Sequence, residues 1–203
     1  MTHPEPPRID SQSLGDPTRH LSLAHLERAL AQRPGAPADD GRVTLIVRRG
    51  AGGRRESLDR VDLRCNAGVP GDAWSRRGVP NPDAQIAVIQ QGVAELIANG
   101  QPLVLFGDNL LLDLDLSREN LPLGTRLRVG AATVLVTPKA HNGCHKFQAR
   151  FGSDALRFVS KPELRHRNLR GIYLRVIDDG PVMVGDRVAV LMRPLPSDSP
   201  ASG

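Results

Sequence analysis

A chain of 203 residues can bury one core of ordinary size, and a 39% hydrophobic share with one Trp, one Tyr and four Phe assigns that core to Leu, Val, Ile and Ala. Two cysteines, Cys65 and Cys144, exclude a disulfide scaffold, and no apolar run approaches the roughly 20 residues a membrane span needs. The net charge of +5 comes from 27 basic residues scattered among 22 acidic ones, without the basic block, reader motif or aromatic platform of a nucleic-acid module. The polar, proline-rich start carries no secretory segment. These features predict a cytoplasmic protein that takes a small-molecule substrate and uses neither nucleic acid nor membrane.

Residues 1–40 read as a flexible N-terminal segment with one short helix. Pro4, Pro6, Pro7 and Pro17 break its start, whereas Leu23, Leu26 and Leu30 recur at helical spacing behind Ser22, a capping residue, and stop at Pro34-Gly35. From Gly41 the period changes to two: Val43, Leu45 and Val47 alternate along a strand that ends at the glycines of 50–53. A second strand is expected over 56–64. Gly68, Pro70 and Gly71 then turn the chain into a long loop through Asp72, Trp74, Arg76, Arg77, Pro80 and Pro82. A buried strand at 85–90 leads into a helix at 92–98 closed by Asn99-Gly100, a pair that accepts a left-handed backbone.

The remainder reads as hairpins: 109–113, then 125–129 with 133–137 across Gly130-Ala131, and 172–177 with 187–192 across Asp178-Asp179-Gly180. Two short helices, 144–151 and 154–159, interrupt them. Residues 41–192 therefore predict a mainly β domain, a barrel or strongly bent sheet of about seven short strands with few helices, and 193–203 a flexible tail. Exposed edge strands and the extra helix are compatible with a homodimer.

The loop from Lys139 to Lys146 concentrates the chemistry. It places the Cys144 thiol where a strand gives way to a helix, and backbone N–H groups there favour thiolate over thiol. His141, His145, Lys146 and Arg150 lie close in sequence and add positive charge, while Asn142 and Gly143 flank the thiol and Gly143 lets the backbone approach a ligand. The expectation is a Cys144 thiol that ionises more readily than a free one, with His141, His145 and Lys146 as its acid–base partners. Two alternatives stay open: a zinc or copper site from His141, Cys144 and His145, and a thiol enzyme in which Cys65 resolves a disulfide.

Several stretches in order carry a resemblance: Gly-Val-Pro-Gly-Asp at 68–72, Phe-Gly-Asp-Asn-Leu at 106–110 with Leu-Asp-Leu-Ser at 114–117, Leu-Gly-Thr-Arg-Leu-Arg-Val-Gly at 123–130, His-Asn-Gly-Cys-His-Lys-Phe at 141–147, Arg-Phe-Gly at 150–152, and Arg-Gly-Ile-Tyr at 170–173 running to Val-Gly-Asp at 184–186. Over roughly 43–192 the chain resembles the MOSC domain family, named for the C-terminal domain of molybdenum cofactor sulfurases. The resemblance implies a barrel of mostly antiparallel strands with Cys144 facing a cleft. It also implies a molybdenum cofactor of the molybdopterin type ligated through Cys144, or a persulfide carried there. Longer members of the family add a pyridoxal-phosphate lyase domain or a preceding barrel; without these, sulfur or electrons would come from a donor protein. Small bacterial members imply action on N-hydroxylated compounds, and a delivery module without turnover is the remaining reading. An anionic pterin phosphate would call for guanidinium forks, for which the candidates are Arg76, Arg77, Arg150 and Arg170 beside Asn168. Asp108 and Asn109 could address a pterin edge, and Asp72 and Asp186 read as turn formers.

Overall fold

The computed structural model describes residues 15–194; of the segments expected to be flexible, 1–40 and 193–203, residues 1–14 and 195–203 lie outside the described residues. Ser22 caps α1 (Leu23–Gln32) by accepting a hydrogen bond from the His25 N–H. The strands follow as β1 (Asp40–Arg49), β2 (Arg55–Leu58), β3 (Arg60–Leu63) and β4 (Ile86–Gln90), then α2 (Gln91–Ala98) and β5 (Leu110–Asp113). β6 (Arg126–Val129) and β7 (Ala132–Val136) precede α3 (His145–Phe151) and α4 (Ser153–Ser160), and β8 (Ile172–Asp178), β9 (Gly180–Met183) and β10 (Arg187–Met192) complete the described chain.

Seven strands close into a barrel in the order β10-β6-β7-β8-β4-β5-β1, with β1 pairing back onto β10 at Asp40–Arg42. The fold is therefore a mainly β barrel. All its pairings are antiparallel except β4 with β5. These two strands are buried on both faces, which explains their continuous apolar runs. Val88, Leu110 and Leu112 point into the barrel core with Val43, Ile46, Leu127, Val134, Leu174 and Val188. Ile89 and Leu111 point outward into a second core, built with Leu26, Val93, Ile97, Phe106, Phe147, Phe151 and Phe158. Helices α1 to α4 thus cover one side of the barrel.

Three expectations about pairing change. The run 56–64 is not one strand: β2 extends the barrel sheet beside β1, and after Asp59 the chain leaves it so that β3 pairs with β9. The Asp59 carbonyl accepts the Val184 N–H at that switch. Segments 172–177 and 187–192 do not form a hairpin with each other, because β8 inserts between β7 and β4 whereas β10 joins β6 and β1. Segment 109–113 likewise lies between β4 and β1. Strand closure around a common core outweighs the short turn at 178–180.

Leu26 is fully buried at the contact of α1 with the second core, so the helix is part of the folded unit. Leu26→Ala is expected to lower the free energy of unfolding by about 2–5 kcal/mol, measured by urea denaturation; a loss below about 0.5 kcal/mol would mean that α1 is only loosely attached.

Candidate functional site

β1 ends in Arg49, and the long loop after Val-Pro-Gly delivers Asp72 beneath it. Arg49 grips the carboxylate with both prongs, Nη2 donating to Oδ2 at 2.6 Å and Nε to Oδ1 at 3.0 Å. Asp72 also accepts the backbone N–H of Arg49 and of Trp74. Burial alone would raise its pKa, but the Arg49 fork and these N–H groups outweigh it and hold Asp72 below the ordinary carboxylate value; the same pair raises Arg49 against its own burial. Asn109 completes the lock: its Oδ1 accepts from Arg49 and from the Ala87 N–H, and its Nδ2 donates to Asp72 and to the Val47 carbonyl. Its hydrogen-bonding capacity goes into joining β1, β4 and the loop.

Next to Asn109 sits Asp108, its side chain wholly buried. Arg170 Nη1 donates to Oδ2 at 2.8 Å, and His141 Nε2 lies 3.4 Å from Oδ1, a charge contact and not a formed hydrogen bond. Burial raises the Asp108 pKa, while Arg170, Arg49 and Arg55 pull it back. Burial, then Arg170 and Arg49, push His141 well below 6.5, so its ring is neutral near pH 7. The ring packs on Tyr173 with centroids 4.4 Å apart, and Arg170 lies over Phe147 at 5.2 Å.

Arg55 enters from the first position of β2. It is 7% exposed, yet its Nε and Nη1 have no partner. Burial followed by repulsion from Arg150 and Arg49 lowers its pKa to about 10. Gly107 exists because a Cβ there would come 2.8 Å from Arg55 Nε. Arg150 is also buried, and its pKa is lowered by burial and Arg170 while Cys144 acts in the opposite direction. Four guanidinium groups thus meet two carboxylates, and both carboxylates are already engaged. Guanidinium groups in such a cluster suit an oxyanion in their chemistry.

Cys144 is the residue before α3; its carbonyl accepts the Gln148 N–H, and its thiol is free and exposed. Phe147 and Phe151, anchored against Phe106, fix the helix that carries it. Of the remaining candidates in the loop, His141 turns inward to Asp108, and Asn142, His145 and Lys146 are exposed. Gly143 is required by a different neighbour from the one expected: a Cβ there would meet Leu156 of α4 at 2.4 Å, so its backbone approaches protein and not a ligand. Arg76 uses its guanidinium on the carbonyls of Gly71 and Arg49, Arg77 is exposed, and Asn168, in a left-handed turn, donates to the Leu116 carbonyl. Cys65 is also free and exposed, with Asp179 raising its pKa first through a hydrogen bond. Among the described residues no group of three His, Cys, Asp or Glu is arranged to hold a metal.

The structure therefore brings together Asp108, His141, Arg150 and Arg170 from the expected set and adds Arg49, Arg55, Asp72 and Tyr173. Asp72 does more than turn the chain. Arg49 and Arg55 bracket the glycines of 50–53, which was the available signal. Tyr173 is the sole tyrosine and follows the Arg170-Gly171 pair.

A barrel with a cysteine at the start of a covering helix, beside a buried Asp–His–Arg cluster, defines the class. The MOSC domain family model matches residues 75–189, more than half of the chain, and the chain belongs to that family. Solved structures with this fold include the YuaD protein of Bacillus subtilis (TM-score 0.57, 19% identity, covering 73% of this chain and 94% of that one). YiiM of Geobacillus stearothermophilus (0.51, 18%, 75% and 76%) and YiiM of Escherichia coli (0.51, 20%, 75% and 71%) are also similar. A comparison with curated proteins finds no match. MOSC domains are associated with molybdenum cofactor proteins, and no helix among the described residues is long and apolar enough to cross a membrane.

Two outcomes follow from the cluster. Asp72→Ala strands Arg49 beside Asn109 and is expected to cost about 3–5 kcal/mol in urea denaturation. His141 has a folded pKa below its unfolded value of 6.5, so the unfolded state binds more protons as pH falls below 6.5 and stability declines there. Asp108, with its raised pKa, works in the opposite sense. His141→Phe keeps the packing on Tyr173 and should flatten the loss of thermal midpoint between pH 7.5 and 5.5; a slope as steep as the wild type would mean that His141 is not the group responsible.

Proposed function

We propose that the protein binds a molybdenum cofactor of the molybdopterin type, with Cys144 as the ligand to the metal, and acts in a redox or sulfur-carrying reaction on a small molecule. The observation that carries this reading is the pair of unpartnered N–H groups on Arg55, buried in a cationic cluster that reaches Cys144 through Arg150. A soft thiolate suits molybdenum, and guanidinium forks suit a pterin phosphate. The residues present therefore fit the group: Cys144 to ligate, Arg55 and Arg150 to hold the anionic end, and Asp108 and Arg170 beside them.

When bound, the cofactor supplies a two-electron redox centre. The chain's own residues do the rest. Arg49, Asp72 and Asn109 hold the floor of the site rigid, and Tyr173 packs against the His141 ring. His141, neutral near pH 7, keeps Nδ1 buried beside Gly171 and without a partner. The exposed Cys144 is reachable by an electron-transfer or sulfur-donor protein, and a persulfide would be carried on the same sulfur.

Protein purified from a host that makes the cofactor should contain molybdenum by elemental analysis and release a fluorescent oxidised pterin, and Cys144→Ser should lose most of the metal. A wild-type preparation with neither signal, and with no persulfide in its intact mass, overturns the proposal. Arg55→Met carries a second signature. Removing a buried, unpartnered charge should raise the stability of the cofactor-free protein by about 1 kcal/mol or more while lowering retained pterin severalfold; a variant that is less stable, with pterin unchanged, would make Arg55 purely structural.

A further inference from the structure

Two cavities of about 330 Å³ each meet at His141, between the loop that leads to Cys144 and the turn at Asn168-Leu169-Arg170-Gly171. They share Arg118, Ala140, His141, Asn168 and Gly171, so they adjoin, as two compartments of a groove would. One is walled by Leu121, Pro122, Leu123, Val136 and Ile172, with Thr137 and Lys139 also on its lining. The other is lined by Arg118, Arg165 and Arg170. Neither wall contains an aspartate or glutamate, and Arg49, Arg55 and Arg150 line neither. His141 is 93% buried by its side chain's 7% exposure, its Nδ1 has no partner, and that atom faces Gly171 on the groove wall, 3.2 Å from where a Cβ there would sit.

From this arrangement we infer that the groove binds a small molecule made of an apolar, ring-sized body and an anionic head group, the body lying against Leu121, Val136 and Ile172 and the head between Arg118 and Arg165. Apolar walls bury the body without orienting it, and the two exposed guanidinium groups, with no ion pair among the described residues, select the charge and set its direction. The ligand then lies against the His141 ring, which lines both compartments. Use of the groove as a substrate compartment rests on the cofactor reading above; its occupancy does not.

Cofactor-free protein titrated with 1-naphthyl phosphate, 1-naphthol and inorganic phosphate tests this, with binding read from the His141 ring signals in NMR. Naphthyl phosphate is expected to bind at least tenfold more tightly than either of the others and to shift the His141 signals. The double variant Arg118→Ala, Arg165→Ala, both at exposed positions, should lose that advantage with its thermal midpoint unchanged. Equal binding of naphthol and naphthyl phosphate, inorganic phosphate binding as well as the ester, an unaltered affinity in the variant, or no binding at millimolar concentration each overturns the inference. Because the titration contains no molybdenum, its failure is distinct from failure of the cofactor proposal.

Discussion

Guanidinium groups outnumber carboxylates at one end of the barrel, and the local structure is organised around that imbalance. Asp72 is consumed by Arg49 and Asp108 by Arg170, which leaves Arg55 and Arg150 buried with no ion pair among the described residues. Desolvating a cation is costly unless it is paired. Under the proposed function a bound anion would complete the arrangement, and the unpaired charges then reflect the conflict between stability and function expected of binding sites. Burial first, and then repulsion from neighbouring guanidinium groups, depresses Arg55 and keeps His141 neutral.

The barrel makes this tolerable by separating two jobs. Its interior and the outer layer beneath the helices supply the apolar burial, and β4 and β5, apolar on both faces, belong to both. The charged cluster sits where these strands end, on loops held by the Asn109 lock. The aromatic trio Phe106, Phe147 and Phe151 then binds the short helix α3 to the same end, so that an exposed sulfur is carried on a rigid support. Mobility is unnecessary for the thiol to be accessible, since it projects from the start of a helix whose apolar face is anchored.

Much of the local structure was legible in the sequence because it depends on near neighbours. Ser22 ahead of a leucine stripe, Asn99-Gly100 after an apolar helix, Gly130-Ala131 between two alternating runs and the thiol before α3 are all set by contacts within a few residues. The motif order also identified the family, since those stretches retain their sequence and spacing. Charge convergence was less visible: Arg76 looked as suitable as Arg150, although it is spent on two carbonyls, and Arg49 and Arg55 looked like ordinary arginines beside a glycine turn.

By itself, the sequence determined the helices and their caps, the burial of β4, the barrel class and the position of Cys144, because these follow from periodicity and from hydrogen bonds between close neighbours. The tertiary structure alone decided that β3 would pair with β9, that β8 would enter between β7 and β4, and that Asp108, 62 positions before Arg170, would meet it. Those outcomes depend on closing a sheet on itself and on balancing buried charges, and both are properties of the whole chain that no local window contains.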